Sequence, residues 1–174
     1  MKETYEFRMQ LPIVQRPISA DLDELADIIT QQGDVQQHNT NVKASMTEWD
    51  LNSKHFRIEN ICNQAIEVAK SIHPNSFNVL DLYTRRCWGA SYTKSEYAKE
   101  HNHTPNLYSW CYYVRMPDGS SPLIFPEAQQ IIYPNEGDLI LFSGLVRHYV
   151  PPNKSVEPRI MLAGNISVRS PMLV

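Results

Sequence analysis

The stretch WGASYTKSEYAKEHNHTPNLYSWCYYV, Trp88 to Val114, decides how the rest of the chain is read. At its centre His101 and His103 flank Asn102. In extended backbone, side chains two positions apart share a face, so the two imidazoles have the spacing of a chelate. Directly after them comes the strongest strand signal, Leu107 to Arg115, rich in aromatic residues. Two solvated turn histidines would look the same, and a reactive metal centre needs further ligands. Another segment has to complete the set.

Downstream of Asn75 the chain breaks into short β-rich runs separated by Pro, Gly and Asn. These are Val79 to Trp88, Leu107 to Arg115, Leu123 to Phe125, Gln130 to Tyr133, Leu139 to Phe142, His148 to Val150 and Arg159 to Val168. Upstream, Tyr5, Phe7, Met9 and Leu11 alternate in Tyr5 to Val14, a strand stopped by Pro12 and Pro17 and expected at a sheet edge. Ser19 is the expected N-cap of a short helix with an acidic first turn. Its apolar stripe is Leu22, Leu25, Ala26, Ile28 and Ile29, with Gly33 at the stop. Gln36 to Leu51 is polar and aperiodic, an ordered loop that Trp49 anchors; a substrate lid and a structural loop are both open readings. Ser53 opens a second helix, with Phe56, Ile61, Cys62, Ala65, Ile66, Ala69 and Ile72 at helical spacing and His73-Pro74-Asn75 at its end. Helices first and strands later predict an α+β fold, closed as a jelly roll or a comparable two-sheet barrel.

With 174 residues, the chain fits one domain, helical support over about 1-75 and a jelly-roll core over about 76-170. No apolar run approaches the ~20 residues that span a bilayer, and MKETYEFRMQ lacks the apolar segment of a secretory signal. Three scattered cysteines, Cys62, Cys87 and Cys111, add to the expectation of a soluble, cytoplasmic protein with no membrane partner. A net charge of -3 gives no general attraction to phosphate backbones, although Arg85-Arg86 is a local basic patch. Nucleic acid is therefore a disfavoured partner.

The third candidate ligand is His148, in EGDLILFSGLVRHYVPPN, where a Ser143-Gly144 turn joins an apolar strand to one broken by Pro151-Pro152. Alone it would equally be a strand-start histidine bonded locally. Arg159 follows eleven positions later at the head of RIMLAGNISV. Burying an arginine there is costly unless it meets an anion, and its fork suits a carboxylate; pairing with Glu157 at the rim is the other possibility.

As an ordered set, His-x-His, a distal His and a downstream Arg resemble the Fe(II)/2-oxoglutarate-dependent oxygenase superfamily, in particular its prolyl-hydroxylase-like enzymes and the short members encoded by bacteriophages. The likeness covers roughly Val79 to Val168, about half the chain. It implies a double-stranded β-helix and an iron site, with His101 as the first ligand, His148 as the distal ligand and Arg159 on the distal carboxylate of 2-oxoglutarate. It places Tyr113 on the same carboxylate and Tyr92 along the co-substrate pocket. Asn165 lies on the inward face of the Arg159 strand, an even number of residues away, within reach of substrate or co-substrate.

His103 departs from the family, standing where an acidic ligand is expected. An imidazole there leaves a ferrous site one charge more positive. It is a third ligand in a three-histidine site, or the position is open to water or an anion, or the protein is a degenerate binder. The first is adopted, since imidazole is an accepted iron ligand. The resemblance implies that O2 and 2-oxoglutarate are consumed at Fe(II), giving succinate and carbon dioxide, with hydroxylation of a C-H bond in a peptidyl or small-molecule substrate. Two alternatives are a cupin-type three-histidine enzyme and a non-catalytic jelly-roll module. Against the cupin stand the Thr-Pro-Asn-Leu after His103, with no nearby glutamate, and the lack of a task for Arg159. Trp88, Trp110, Tyr108 and Tyr112 read as core before they read as a substrate surface, Cys111 as a buried small hydrophobe, and His38, His55 and His73 as solvated. Oligomeric state has no sequence signal.

Overall fold

The computed structural model describes residues 10–32, 40–72 and 80–169. Four long strands carry the architecture: β4 (Leu82–Tyr92), β6 (Tyr108–Arg115), β9 (Asp138–Ser143) and β11 (Arg159–Val168). With β1 (Ile13–Pro17) and β3 (Ser45–Met46) they form a six-stranded sheet in the order β1-β9-β6-β11-β4-β3. The smaller strands β2 (Val42–Lys43), β5 (Tyr97–His101), β7 (Leu123–Phe125), β8 (Gln130–Ile132) and β10 (His148–Val150) form a second sheet, β2-β5-β10-β7-β8. Every strand pairing within these sheets is antiparallel. Two such sheets closed over one another make the jelly roll, a double-stranded β-helix.

Alternation along β6 explains why YSWCYYV is apolar at nearly every position. Tyr108, Trp110, Tyr112 and Val114 face a core shared with the helices, whereas Cys111 and Tyr113 face the barrel interior. That first core takes Leu25, Ala26 and Ile29 from α1 (Leu22–Gln31) and Ile58, Ile61, Cys62, Ala65 and Ala69 from α3 (Phe56–Ile72). Helices on the outer face of the larger sheet complete the α+β fold. Gly89 on β4 lets α1 lie against the strand, since a Cβ there would come within 2.7 Å of Ile29 Cγ1.

Several boundaries differ from expectation. The N-terminal edge strand is Ile13–Pro17, ending on a proline whose missing donor costs nothing at an edge; Tyr5, Phe7 and Met9 lie outside the described residues. Asp21, not Ser19, caps α1, its carboxylate accepting from the Glu24 N–H at 3.1 Å; Gly33 is outside the described residues. The segment read as a loop holds β2 and β3, each two residues long and too short to show a period. A short helix, α2 (Leu51–Lys54), precedes α3, so the helical run begins before Ser53 and breaks at extended His55. The 73-75 stop lies outside the described residues. Strand β5, YAKEH, gives no strand signal in the sequence because only Ala98 turns into the core while polar side chains fill the other positions.

Candidate metal centre

His101 and His148 meet because β5 and β10 pair with these two residues directly opposite. His101 is the last residue of β5 and His103 lies beyond it, so the expected geometry, two imidazoles on one face of a strand, is not what brings them together. A turn does. The His103 N–H donates to Gly144 O at 2.8 Å, and its carbonyl accepts from the Asn106 backbone N–H at 2.9 Å and Asn106 Nδ2 at 2.7 Å. The turn packs so closely on the 143–146 bend that a Cβ on Gly144 would lie 2.1 Å from Asn106 O. The ring centroids stand 4.5 Å apart for His101 and His148, 4.9 Å for His101 and His103, and 5.0 Å for His103 and His148.

One nitrogen from each ring lies within 4.8 Å of the others, a spacing that one metal ion bridges. No Asp or Glu joins this group among the described residues. His101 Nδ1 bonds to Lys99 O at 2.6 Å and His148 Nδ1 to Val146 O at 3.2 Å, which leaves Nε2 of both rings as the free lone pair. Burial, and secondarily the neighbouring imidazoles, lowers His103 to about 3 and His148 to about 2; burial also lowers His101. All three are therefore neutral near pH 7, the protonation state of a ligand. Phe142 and Phe125, with centroids 4.6 and 6.0 Å from the His148 ring, wall one side.

Behind the histidines, inside the barrel, Arg159 is 0% exposed. Its guanidinium lies over the rings of Tyr92, at 4.8 Å, and Tyr113, at 5.2 Å. Nη1 makes only a 3.5 Å contact with Met161 Sδ, and Nε, Nη2 and the Tyr113 hydroxyl have no hydrogen-bond partner. Pairing with Glu157 does not occur. A sealed cation with two unsatisfied nitrogens is a cost that an arriving anion removes. Burial pushes the Tyr92 phenol up to about 12 and Tyr113 well above its ordinary value, so both stay protonated donors.

Asn165, buried on the inward face of β11, accepts from Ser109 Oγ and lines a depression of about 330 Å³ beside His101 and His103. Trp88 lines the same depression, its ring 6.2 Å from that of His103. Of the four aromatic residues weighed as a surface, Tyr108, Trp110 and Tyr112 are helix-side core and Trp88 faces the site. Cys111 is buried in the barrel, His55 stands beside Gln32 away from the centre, and His38 and His73 lie outside the described residues. Trp49 does anchor its segment, edge-on to Trp88 at 4.7 Å. Gly144 was not foreseen as part of the site, although its place in the turn before His148 was the available signal.

Solved structures share this fold. The viral collagen prolyl hydroxylase of Paramecium bursaria Chlorella virus-1, in complex with 2-oxoglutarate, superposes with a TM-score of 0.71 at 18% identity, over 88% of this chain and 94% of that one. A prolyl-4-hydroxylase of Pseudomonas putida gives 0.69 at 18% identity, over 91% and 93%. HygX of Streptomyces hygroscopicus, with nickel, 2-oxoglutarate and hygromycin B bound, gives 0.65 at 10% identity, over 92% and 83%. No family model and no curated protein matches the sequence. The chain thus has the double-stranded β-helix seen in 2-oxoglutarate/Fe(II) oxygenases.

Proposed function

We propose that the chain is a non-haem iron oxygenase that uses 2-oxoglutarate to hydroxylate a C-H bond in a small-molecule or peptidyl substrate. The observation that carries this reading is the fully buried, unpaired Arg159 guanidinium between Tyr92 and Tyr113, inside the barrel that bears three neutral histidines. The residues fit the groups such an enzyme needs. His101, His103 and His148 would hold Fe(II) on one side and leave its other positions open. Arg159 would take a carboxylate through its free nitrogens, with Tyr113 adding a hydroxyl donor and Tyr92 fixing the guanidinium plane. When bound, iron, O2 and 2-oxoglutarate supply the oxidising chemistry; the protein supplies position and a dry, aromatic wall.

Anaerobic addition of Fe(II) and then 2-oxoglutarate should produce a weak visible charge-transfer band, absent in His148→Ala and weakened in Arg159→Ala. No band, and no thermal protection by either ligand, would sink the proposal. His103 in place of an acidic ligand favours one second reading, a three-histidine metal enzyme that does not use 2-oxoglutarate. In that case metal protects against unfolding, 2-oxoglutarate adds nothing, and no succinate forms.

A further inference from the structure

Strand β4 carries an irregularity where it passes the metal centre. In its pairing with β11, Asn165 stands opposite Arg86 and Ile166 opposite Thr84, which leaves Arg85 as an unmatched residue. A regular strand would send Arg85 and Arg86 to opposite faces. The bulge changes that. Arg86 lines the depression beside His101 and His103, whereas Arg85 lines an adjoining one of about 510 Å³, and Asn106 borders both. Two consecutive arginines thereby border neighbouring depressions, and Arg86 alone lines the one beside the histidines.

Their surroundings hold no negative charge. Arg57, Arg115, Arg147 and Arg169 each pair with a carboxylate, whereas Arg85 and Arg86, like Arg16 and the buried Arg159, form no ion pair among the described residues. No Asp or Glu lines either depression, although the protein as a whole carries a net charge of -3. Arg86 is instead held by the face of Trp49, its Cζ 5.4 Å from the ring centroid. Trp49 meets Trp88 at 4.7 Å, and Trp88 meets His103 at 6.2 Å, so contacts run unbroken from the guanidinium to the metal ligands. Asn165 commits its carbonyl to Ser109, which leaves its amide as a donor toward the same space.

From this the geometry points to the class of substrate: a small molecule with a flat or apolar body and an anionic group, carboxylate or phosphate, bound with the body against Trp49 and Trp88 and the anion on Arg86. This rests on the oxygenase reading for the reaction but not for the binding. A guanidinium without a protein carboxylate and already oriented by stacking binds an anion without first breaking an ion pair. Three imidazole ligands would also leave the full charge of a divalent ion on the centre, which draws an anion the same way.

Intrinsic tryptophan fluorescence is the readout, in Fe(II)- and 2-oxoglutarate-loaded protein without oxygen and again without metal. The probes are phenyl phosphate, phenylacetate and the neutral 2-phenylethanol. Saturable change with one or both anions, weakened by added salt and reduced about tenfold or more by Arg86→Gln, is expected, while the neutral probe stays silent. The tighter anion identifies which source of negative charge the site takes. Equal binding of 2-phenylethanol and the anions, or unchanged anion binding in Arg86→Gln, overturns the proposal. The charge-transfer band of the loaded protein reports separately on the oxygenase reading. Anion binding without that band would leave the subsite standing while the reaction assignment falls.

Discussion

At the scale of single residues, Arg159 carries the most weight in the proposed function. Its side chain is among the largest fully buried ones, yet two of its nitrogens bond to nothing. Replacement by methionine removes that unsatisfied charge and keeps much of the volume. The unliganded Arg159→Met protein should therefore melt at or above the wild-type temperature in scanning fluorimetry. Affinity for 2-oxoglutarate should fall by about 10- to 100-fold, the loss expected from charge-assisted hydrogen bonds, with metal affinity little changed in calorimetry. A variant that is strongly destabilised without ligand would mean that Arg159 is part of the fold's own bonding. The expectation of an anion at Arg159 arose from the sequence because a guanidinium at the head of an apolar strand is costly to bury without a negative partner. Its two free nitrogens were not, since they depend on which groups the other strands bring near.

Among elements, the pairing of β5 with β10 and the bend at 143–146 decide where the three histidines stand. The bend supplies the acceptor for His103 at Gly144 O and leaves no room for a side chain at Gly144. Gly144→Ala should push the 103–106 turn outward and lower affinity for Fe(II) or Co(II) by about tenfold or more in a metal titration, the scale seen when groups that orient ligands are lost. Unchanged affinity would show that the turn does not position His103. Strand β11 was legible residue for residue, Arg159 to Val168, because a long apolar run between polar breaks has one reading. Strand β5 was not, because pairing on both of its sides, with β2 and β10, holds a polar sequence in place without a hydrophobic pattern.

For the molecule as a whole, three imidazoles kept neutral by burial make stability depend on pH. In the unfolded chain each takes up a proton near the ordinary value of ~6.5, whereas in the folded protein His103 waits until about 3 and His148 until about 2. The unfolded state thus binds more protons across that window. Stability is complete above pH ~6.5 and is lost as pH falls, by up to ~1.4 kcal/mol per pH unit for each such histidine. The melting temperature of metal-free protein should accordingly drop between pH 6.5 and 5, before carboxylates begin to titrate, and His148→Gln should drop less steeply. A profile equally steep in His148→Gln would remove this histidine as a source.

The sequence by itself determined the class of fold and the succession of the long strands along the chain, and it raised His101, His148 and Arg159 as candidates, because hydrophobic period, residue spacing and the cost of burying charge are local properties of a chain. Only the tertiary structure decided the rest. It replaced a strand-face chelate with a cross-strand pair and a turn clamped on Gly144, and it set Arg86 and Trp49 beside the histidines. Those facts depend on strand register and on which segments pack together, and neither changes the pattern of apolar and polar residues from which a strand is recognised.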